Sequence, residues 1–297
     1  HPVQPTDVFA CAQGMIEISF DRDNGAINHL RNRASGEVWA DKDHPLGLFE
    51  YHAYSAAAVD ESNNQYTYYW PVYPKPNLTE ANPQDIRTGG KLEYITRLGP
   101  DEFLLVLALP PDLVSDYGAP ATVHVHVRVE KRGADARVSF DLLLRDKTAT
   151  RLPEALFFVF TPRQQQQSHT WWMHKISSYI APHEVMLNGS HHQHGVWDGA
   201  YFAPAPPHHG SRTPHGMRLY SLDVPLLCPG PPTAFPTPLA ARAADRTTTM
   251  AFNIYNNVWN TNYILWYPYK PDDANLRVSF QMDLYTPARP VMTGAAP

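Results

Sequence analysis

The chain has 297 residues, 18% of them charged, with 24 basic against 29 acidic side chains and a formal net charge of −5. No Lys/Arg stripe of the kind that phosphate binding needs is present, so nucleic acid is not an expected partner. No apolar run reaches the roughly 18 residues of a membrane helix, which leaves the membrane aside as well. A length near 300 fits one large all-β unit.

Residues 1–13 read as a linker or leader. Met15 to Asp21, "MIEISFD", alternates Ile16, Ile18 and Phe20 onto one face. Turns at Asn24-Gly25 and Ser35-Gly36 then mark a three-strand meander, because Asn-Gly readily adopts the positive φ of a tight hairpin. "FLLVLALP" (Phe103 to Pro110) is a continuous apolar run, as a strand buried on both faces would be. The next stretch predicts a long hairpin. Val123, Val125, Val127 and Val129 point one way and His124, His126 and Arg128 the other, "KRGAD" turns the chain, and Val138, Phe140 and Leu142 return. "ALFFVFTP", "TMAFNIY" and "LRVSFQMDLY" are further strands, and no segment keeps a 3.6-residue period over three turns. Prolines cluster at 203–214 and 225–238, which predicts loops there rather than central strands. The expected fold is a single large antiparallel two-sheet sandwich over 1–297, with 286–297 as a tail.

Three groups of residues are candidates for function. "NIYNNVWNTNYILWYPYKP" (Asn253 to Pro271) interleaves amides with aromatic rings. Amides bind hydroxyls without charge, and ring faces suit the apolar side of a sugar, although the same residues also fill cores and cap turns. "NGSHHQHGVWDG" places His192 and His194 on one face of an extended segment. Metal binding there needs further donors such as His208, His209 or His215, and hydrogen-bonded structural histidines explain the pattern equally; no metal and no cofactor is expected. Glu154 opens a buried strand, where a raised pKa would suit a general acid, with Asp198 or Asp223 as a second carboxylate. No G-x-S-x-G, H-E-x-x-H or phosphate-binding loop is present. Sequons at Asn77 and Asn188, and a pair of cysteines, Cys11 and Cys228, that would suit one disulfide, favour a secreted or extracellular protein.

Four pieces in order, "FDRDNGAINHLRNRASGEVWA", "HPLGLFEYHAYS", "RLPEALFFVF" with "NGSHHQHGVWDG", and "YNNVWNTNYILWYPYKPDDANLRVSF", resemble the carboxy-terminal β-sandwich region of glycoside hydrolase family 38-like proteins related to α-mannosidases. The resemblance spans roughly Met15 to Tyr285. It implies a supersandwich of the galactose-mutarotase type whose loops line or buttress a sugar cleft. Asn256, Asn257, Trp259, Asn262 and Trp266 match the family's asparagine-tryptophan stretch, His192 and His194 its histidine stretch, and Glu154 its "PEA" stretch. The family's zinc ligands and nucleophile belong to an amino-terminal α/β domain that nothing here matches.

The expected function is a carbohydrate-associated sandwich that binds or buttresses a glycan and lacks its own catalytic domain. Its expected partners are the glycan and either an amino-terminal catalytic domain or other chains of an assembly. The alternatives are a polysaccharide hydrolase or lyase acting through Glu154 with a histidine or tyrosine, and a structural subunit of an extracellular assembly.

Overall fold

A computed structural model describes residues 7–66, 82–165, 168–186, 189–207, 215–235, 248–257 and 274–286. The first third contains β1 (Phe9–Cys11), β2 (Ile16–Phe20), β3 (Ile27–Asn32), β4 (Val38–Ala40), β5 (Leu46–Ala53), α1 (Ala56–Tyr66), β6 (Ile86–Thr88) and β7 (Lys91–Gly99). The middle contains β8 (Glu102–Ala108), α2 (Pro111–Tyr117), β9 (Thr122–Arg132), β10 (Asp135–Arg145), β11 (Glu154–Phe160), β12 (Thr170–Lys175) and β13 (Ser178–Ile180). The last part contains β14 (His194–Gly195), β15 (Ala200–Ala203), β16 (Gly216–Tyr220), β17 (Leu226–Pro229), β18 (Met250–Asn256) and β19 (Arg277–Tyr285).

The strands form two antiparallel sheets. One has ten strands in the order β1-β2-β3-β5-β11-β18-β17-β14, with β4 beside β3 and β6 beside β5. The other has nine, in the order β13-β12-β15-β16-β19-β10-β9-β8-β7. Period-two alternation aims one side of each strand at the opposite sheet. Phe140 and Phe280 from the nine-stranded sheet meet Phe158, Phe160 and Phe252 from the other, with Phe140–Phe158 at 5.4 Å, Phe158–Phe280 at 5.1 Å and Phe252–Phe280 at 4.8 Å. Burying each such ring stabilises the fold by about 1.5–3 kcal/mol. Gly47, at φ 72°, sits where a Cβ would come within 3.0 Å of both Phe140 and Phe158, so the rings use the space its missing side chain leaves.

The β9–β10 hairpin follows the expected register, with Val123, Val125, Val127 and Val129 buried and Gly133 at φ 69° in the turn. The first two turns are wider than a two-residue hairpin. In each, an Asp21 or Asn32 side chain accepts two backbone N–H groups, and only the later glycine, Gly25 or Gly36, is left-handed. Strand β8 is less sealed than its apolar run suggests, since Leu104 and Ala108 are half-buried; β11, like the shorter β15, is buried at every position.

Several expectations are corrected. Among the described residues there are two short α-helices; α2 begins with Pro111 in its first turn and stops at left-handed Gly118, signals too local for a three-turn periodicity to reveal. Phe9–Cys11, expected in a linker, pairs with β2. Leu226–Pro229, expected as loop, is the strand β17, with its proline at the last position where a missing donor is tolerated. Cys11 and Cys228 are both buried thiols, not a disulfide. They lie six strand positions apart in one sheet, on the order of 30 Å at the usual strand spacing, against the roughly 7 Å limit for a bridge. Each thiol hydrogen-bonds a carbonyl, Cys11 to Pro100 and Cys228 to Thr233, and burial pushes both up to about 12.

Candidate functional site

Strand β5, "LGLFEYHA", turns Phe49, Tyr51 and Ala53 into the sandwich and Glu50 and His52 outward. The short β6 pairs with it so that Arg87 lies opposite His52. Arg87 donates to Glu50 through two nitrogens, Nε to Oε2 and Nη2 to Oε1, both at 3.0 Å. His52 Nε2 lies 2.8 Å from Glu50 Oε2. Burial pushes the Glu50 carboxyl up, but the hydrogen bonds from His52 and Arg87 outweigh it and hold the group below its ordinary range. An ionised carboxylate only accepts, so His52 must carry its proton on Nε2 and present the Nδ1 lone pair when neutral.

The next strand supplies the floor. Phe157 on β11 is paired with Glu50 on one side and Asn253 of β18 on the other, and its ring centroid is 4.9 Å from that of His52. A register shift in the β11–β18 pairing skips Ile254. The bulge therefore puts Asn253 opposite Phe157 and Asn256 opposite Ala155, both on the outer face although they are three residues apart. Asn253 is 5% exposed, and among the described residues neither its Oδ1 nor its Nδ2 has a hydrogen-bond partner. Asn256 is exposed at the rim. Beyond His52, the Tyr54 hydroxyl accepts the Ala234 N–H at 3.0 Å, and its ring packs on Phe235 at 4.6 Å. Burial raises the Tyr54 hydroxyl well above its usual range.

The other expected residues lie elsewhere. Asn257 is a clip: its N–H donates to the Glu154 carbonyl at 2.8 Å, and its amide nitrogen donates to the carbonyls of Leu152, at 3.0 Å, and Thr150. Glu154 points between the sheets, completely buried, with Lys147 Nζ at 2.7 Å. Lys147 also donates to the Gly118 carbonyl at 3.0 Å and lies 4.7 Å from the Tyr255 ring centroid. Burial pushes Glu154 up and Lys147 down, and each pulls the other part of the way back. No substrate reaches a carboxylate sealed there, so the position is structural. His194 pairs with Leu227 on the interior-facing side of β14, and burial with Lys175 nearby lowers it to about 4, so it is neutral near pH 7. His192 is half-buried on the approach to that strand. Trp259, Asn262, Trp266, Asn77, Asn188, His208 and His209 fall outside the described residues. Among the described residues no group of three or more His, Cys, Asp or Glu could hold a metal ion.

The two carboxylates paired with Glu154 in the sequence reading are distant from it in role. Asp223 caps the Ser279 N–H at 2.8 Å. Asp198, on the outer face of the nine-stranded sheet, bridges His174 Nδ1 at 2.6 Å and Arg218 Nη2 at 2.9 Å, beside the Tyr220 ring. Two open clefts of about 550 and 510 Å³ also exist, near Arg128 and near Gly89-Gly90; neither includes Glu50, His52 or Asn253.

Sequence reasoning reached Asn253 and Asn256 but missed Glu50, His52 and Arg87. The E-x-H spacing in "FEYHA" already puts two titratable groups on one strand face. Arg87 carries no local signal, because only the sheet brings it across.

Fold and site together define an antiparallel two-sheet β-sandwich whose ten-stranded sheet carries Glu50, His52, Arg87 and Asn253 on its outer side, with Arg87 half exposed and the others, like Phe157, buried. No protein-family model matches the chain, and no curated protein does. Among solved structures it is similar to a galactose mutarotase-like protein from Lactobacillus casei, at 10% identity and a TM-score of 0.45, covering 94% of this chain and 99% of that one. It is also similar to a galactose mutarotase related enzyme from Lactobacillus acidophilus, at 9% identity and a TM-score of 0.44, covering 94% and 97%. No helix among the described residues is long and apolar enough to cross a membrane.

Proposed function

We propose that the chain is a carbohydrate-binding sandwich, and that the outer face of its ten-stranded sheet holds the sugar. The observation that carries this is Glu50 gripping His52 and Arg87 beside Phe157 on one sheet face. Arg87, half exposed and gripped by the buried Glu50 carboxylate, presents fixed donors of the kind that sugar hydroxyls require. Asn256 at the rim and Asn253 behind it add uncharged amides to the same face. Such contacts correspond to micromolar to millimolar affinity, roughly −8 to −4 kcal/mol. In the setting suggested by the family 38-like pieces, the sandwich holds a glycan for a glycoside hydrolase-like protein, and an amino-terminal domain supplies the chemistry. Calorimetric titration with neutral mono- and oligosaccharides tests the reading. A saturable sugar ligand, weakened at least tenfold by Arg87→Ala or His52→Ala in a folded variant, is the expected result. Failure of every sugar to bind removes it.

A further inference from the structure

The cleft of about 550 Å³ by Arg128 lies where the β1–β2 turn meets the β7–β8 turn and the end of β9. Its volume falls in the roughly 300–1,000 Å³ range of small-molecule sites. Its walls reach solvent: Gln13, Pro100, Arg128, Lys131 and Arg132 are exposed, and Glu102 and Glu130 are partly so. Arg128 Nη2 donates to Glu102 Oε1 at 2.8 Å, and Arg132 Nη2 donates to Glu130 Oε2 at 2.6 Å. Lys131 Nζ donates to Gln13 Oε1 at 3.2 Å, and Asp101 Oδ1 accepts the Ala12 N–H at 2.7 Å. The lining therefore balances Arg128, Lys131 and Arg132 against Asp101, Glu102 and Glu130, with no net charge. The hydrogen bond from Arg128 holds Glu102 below its ordinary range, so this carboxylate is ionised at neutral pH. An uncommon turn places Gln13 at the cleft. Ala12, Gln13 and Gly14 are left-handed in succession, at φ 52°, 60° and 80°. Two of these residues carry a Cβ that disfavours the conformation, and residues held that way concentrate at ligand clamps.

A cleft with balanced charge selects its ligand by hydrogen bonding. An anion would meet the carboxylates and a cation would meet the bases, so a formal charge gains little from these walls. A hydroxyl gains from both kinds of group, because it donates and accepts at once. We propose that this cleft is a second carbohydrate site, specific for uncharged sugars; it takes its ligand class from the sugar reading above and shares none of that site's residues. Arg128, Arg132 and Lys131 donate to sugar oxygens, while Glu102 and Glu130 accept from sugar hydroxyls. A guanidinium has several N–H donors, so its pairing with a carboxylate leaves others for the ligand. The exposed ring of Pro100 receives the apolar C–H side of a pyranose. The ion pairs hold these side chains in place before the ligand arrives, which lowers the cost of ordering them.

The test is calorimetric titration of the purified chain with mannobiose, cellobiose and maltotriose, and with digalacturonate as the charged comparison. A neutral sugar is expected to occupy two sites. Arg87→Ala should remove one of them, and Lys131→Ala, or Arg132→Ala should the first variant misfold, should weaken the other at least fivefold. Amide NMR shifts on adding the sugar to Arg87→Ala should centre on Gln13, Gly99 and Lys131. Digalacturonate is expected to bind Arg87→Ala at least tenfold more weakly than the best neutral sugar does. Loss of all sugar binding in Arg87→Ala overturns this inference and leaves the sugar reading intact. Sugar binding to Arg87→Ala that survives both Lys131→Ala and Arg132→Ala unchanged also overturns it. Equal or tighter binding of digalacturonate overturns the specificity for uncharged sugars. If Arg87→Ala changes nothing while the cleft variants abolish binding, the face at Arg87 falls and this site stands. If no sugar binds at all, both fall.

Discussion

Glu50 Oε2 lies 2.8 Å from His52 Nε2, two residues along the same strand, and Arg87 closes on both oxygens of that carboxylate from the neighbouring strand. Asp198 repeats the arrangement on the opposite sheet with His174 and Arg218. In each, a carboxylate fixes one histidine and one arginine at once. The first leaves Arg87 half exposed and stands beside an amide with no partner among the described residues, which is why it is the candidate site.

The Glu50 group makes stability depend on acid. Its folded-state carboxyl is held below its unfolded value, so its stabilisation is present above the unfolded pKa, about 4.3, and is lost as pH falls through the folded value. Glu50→Gln should lower the melting temperature at pH 7, with a loss on the order of 1–3 kcal/mol, towards the low end because Arg87 is half exposed. Thermal melts from pH 7 to pH 2 should show the gap between variant and parent narrowing below about pH 4.

Glu154 and Lys147 behave as a buried pair. Lys147→Met or Glu154→Gln alone should cost about 3–5 kcal/mol in urea unfolding, because each leaves a partner stranded. Lys147→Met with Glu154→Leu should recover much of that loss. If Glu154→Gln instead abolished a measurable glycan cleavage with stability unchanged, the general-acid role would return.

Among the described residues the buried amide of Asn253 has no hydrogen-bond partner. Asn253→Leu should therefore raise unfolding free energy by about 1–3 kcal/mol, the penalty of an unpaired buried polar group. A destabilised Asn253→Leu would mean that the amide has a partner in the folded chain.

Cys11 and Cys228 should both alkylate without reductant once the chain is unfolded, and neither should react in the native state, where each is 0% exposed. Intact-mass spectrometry reads both. A native mass resistant to alkylation after unfolding would restore the disulfide.

Much of the sandwich was legible because burial on one face writes alternation directly into a strand, as in Val123 to Val129 or Ile16 to Phe20. The site was legible only in part. Asn253 and Asn256 stood out as amides, but an alternating pattern would not place residues three apart on one face; the bulge at Ile254 does so. Asn257, alike in sequence, is consumed in tying β18 to the carbonyls of Thr150 and Leu152.

By itself the sequence determined most of the long strands, which side of them faces inward, and that polar and aromatic residues gather in the 253–257 stretch. Those properties depend on neighbours one or two residues away. Tertiary structure alone decided that β6 lies beside β5, that β11 separates Glu50 from Asn253, that Glu154 faces Lys147 inside, and that the two cysteines sit at distant places in one sheet. Strand order joins segments about a hundred residues apart, as when β11 meets β5 and β18, and farther still where β10 meets β19, and it is fixed by how whole faces pack rather than by any local pattern.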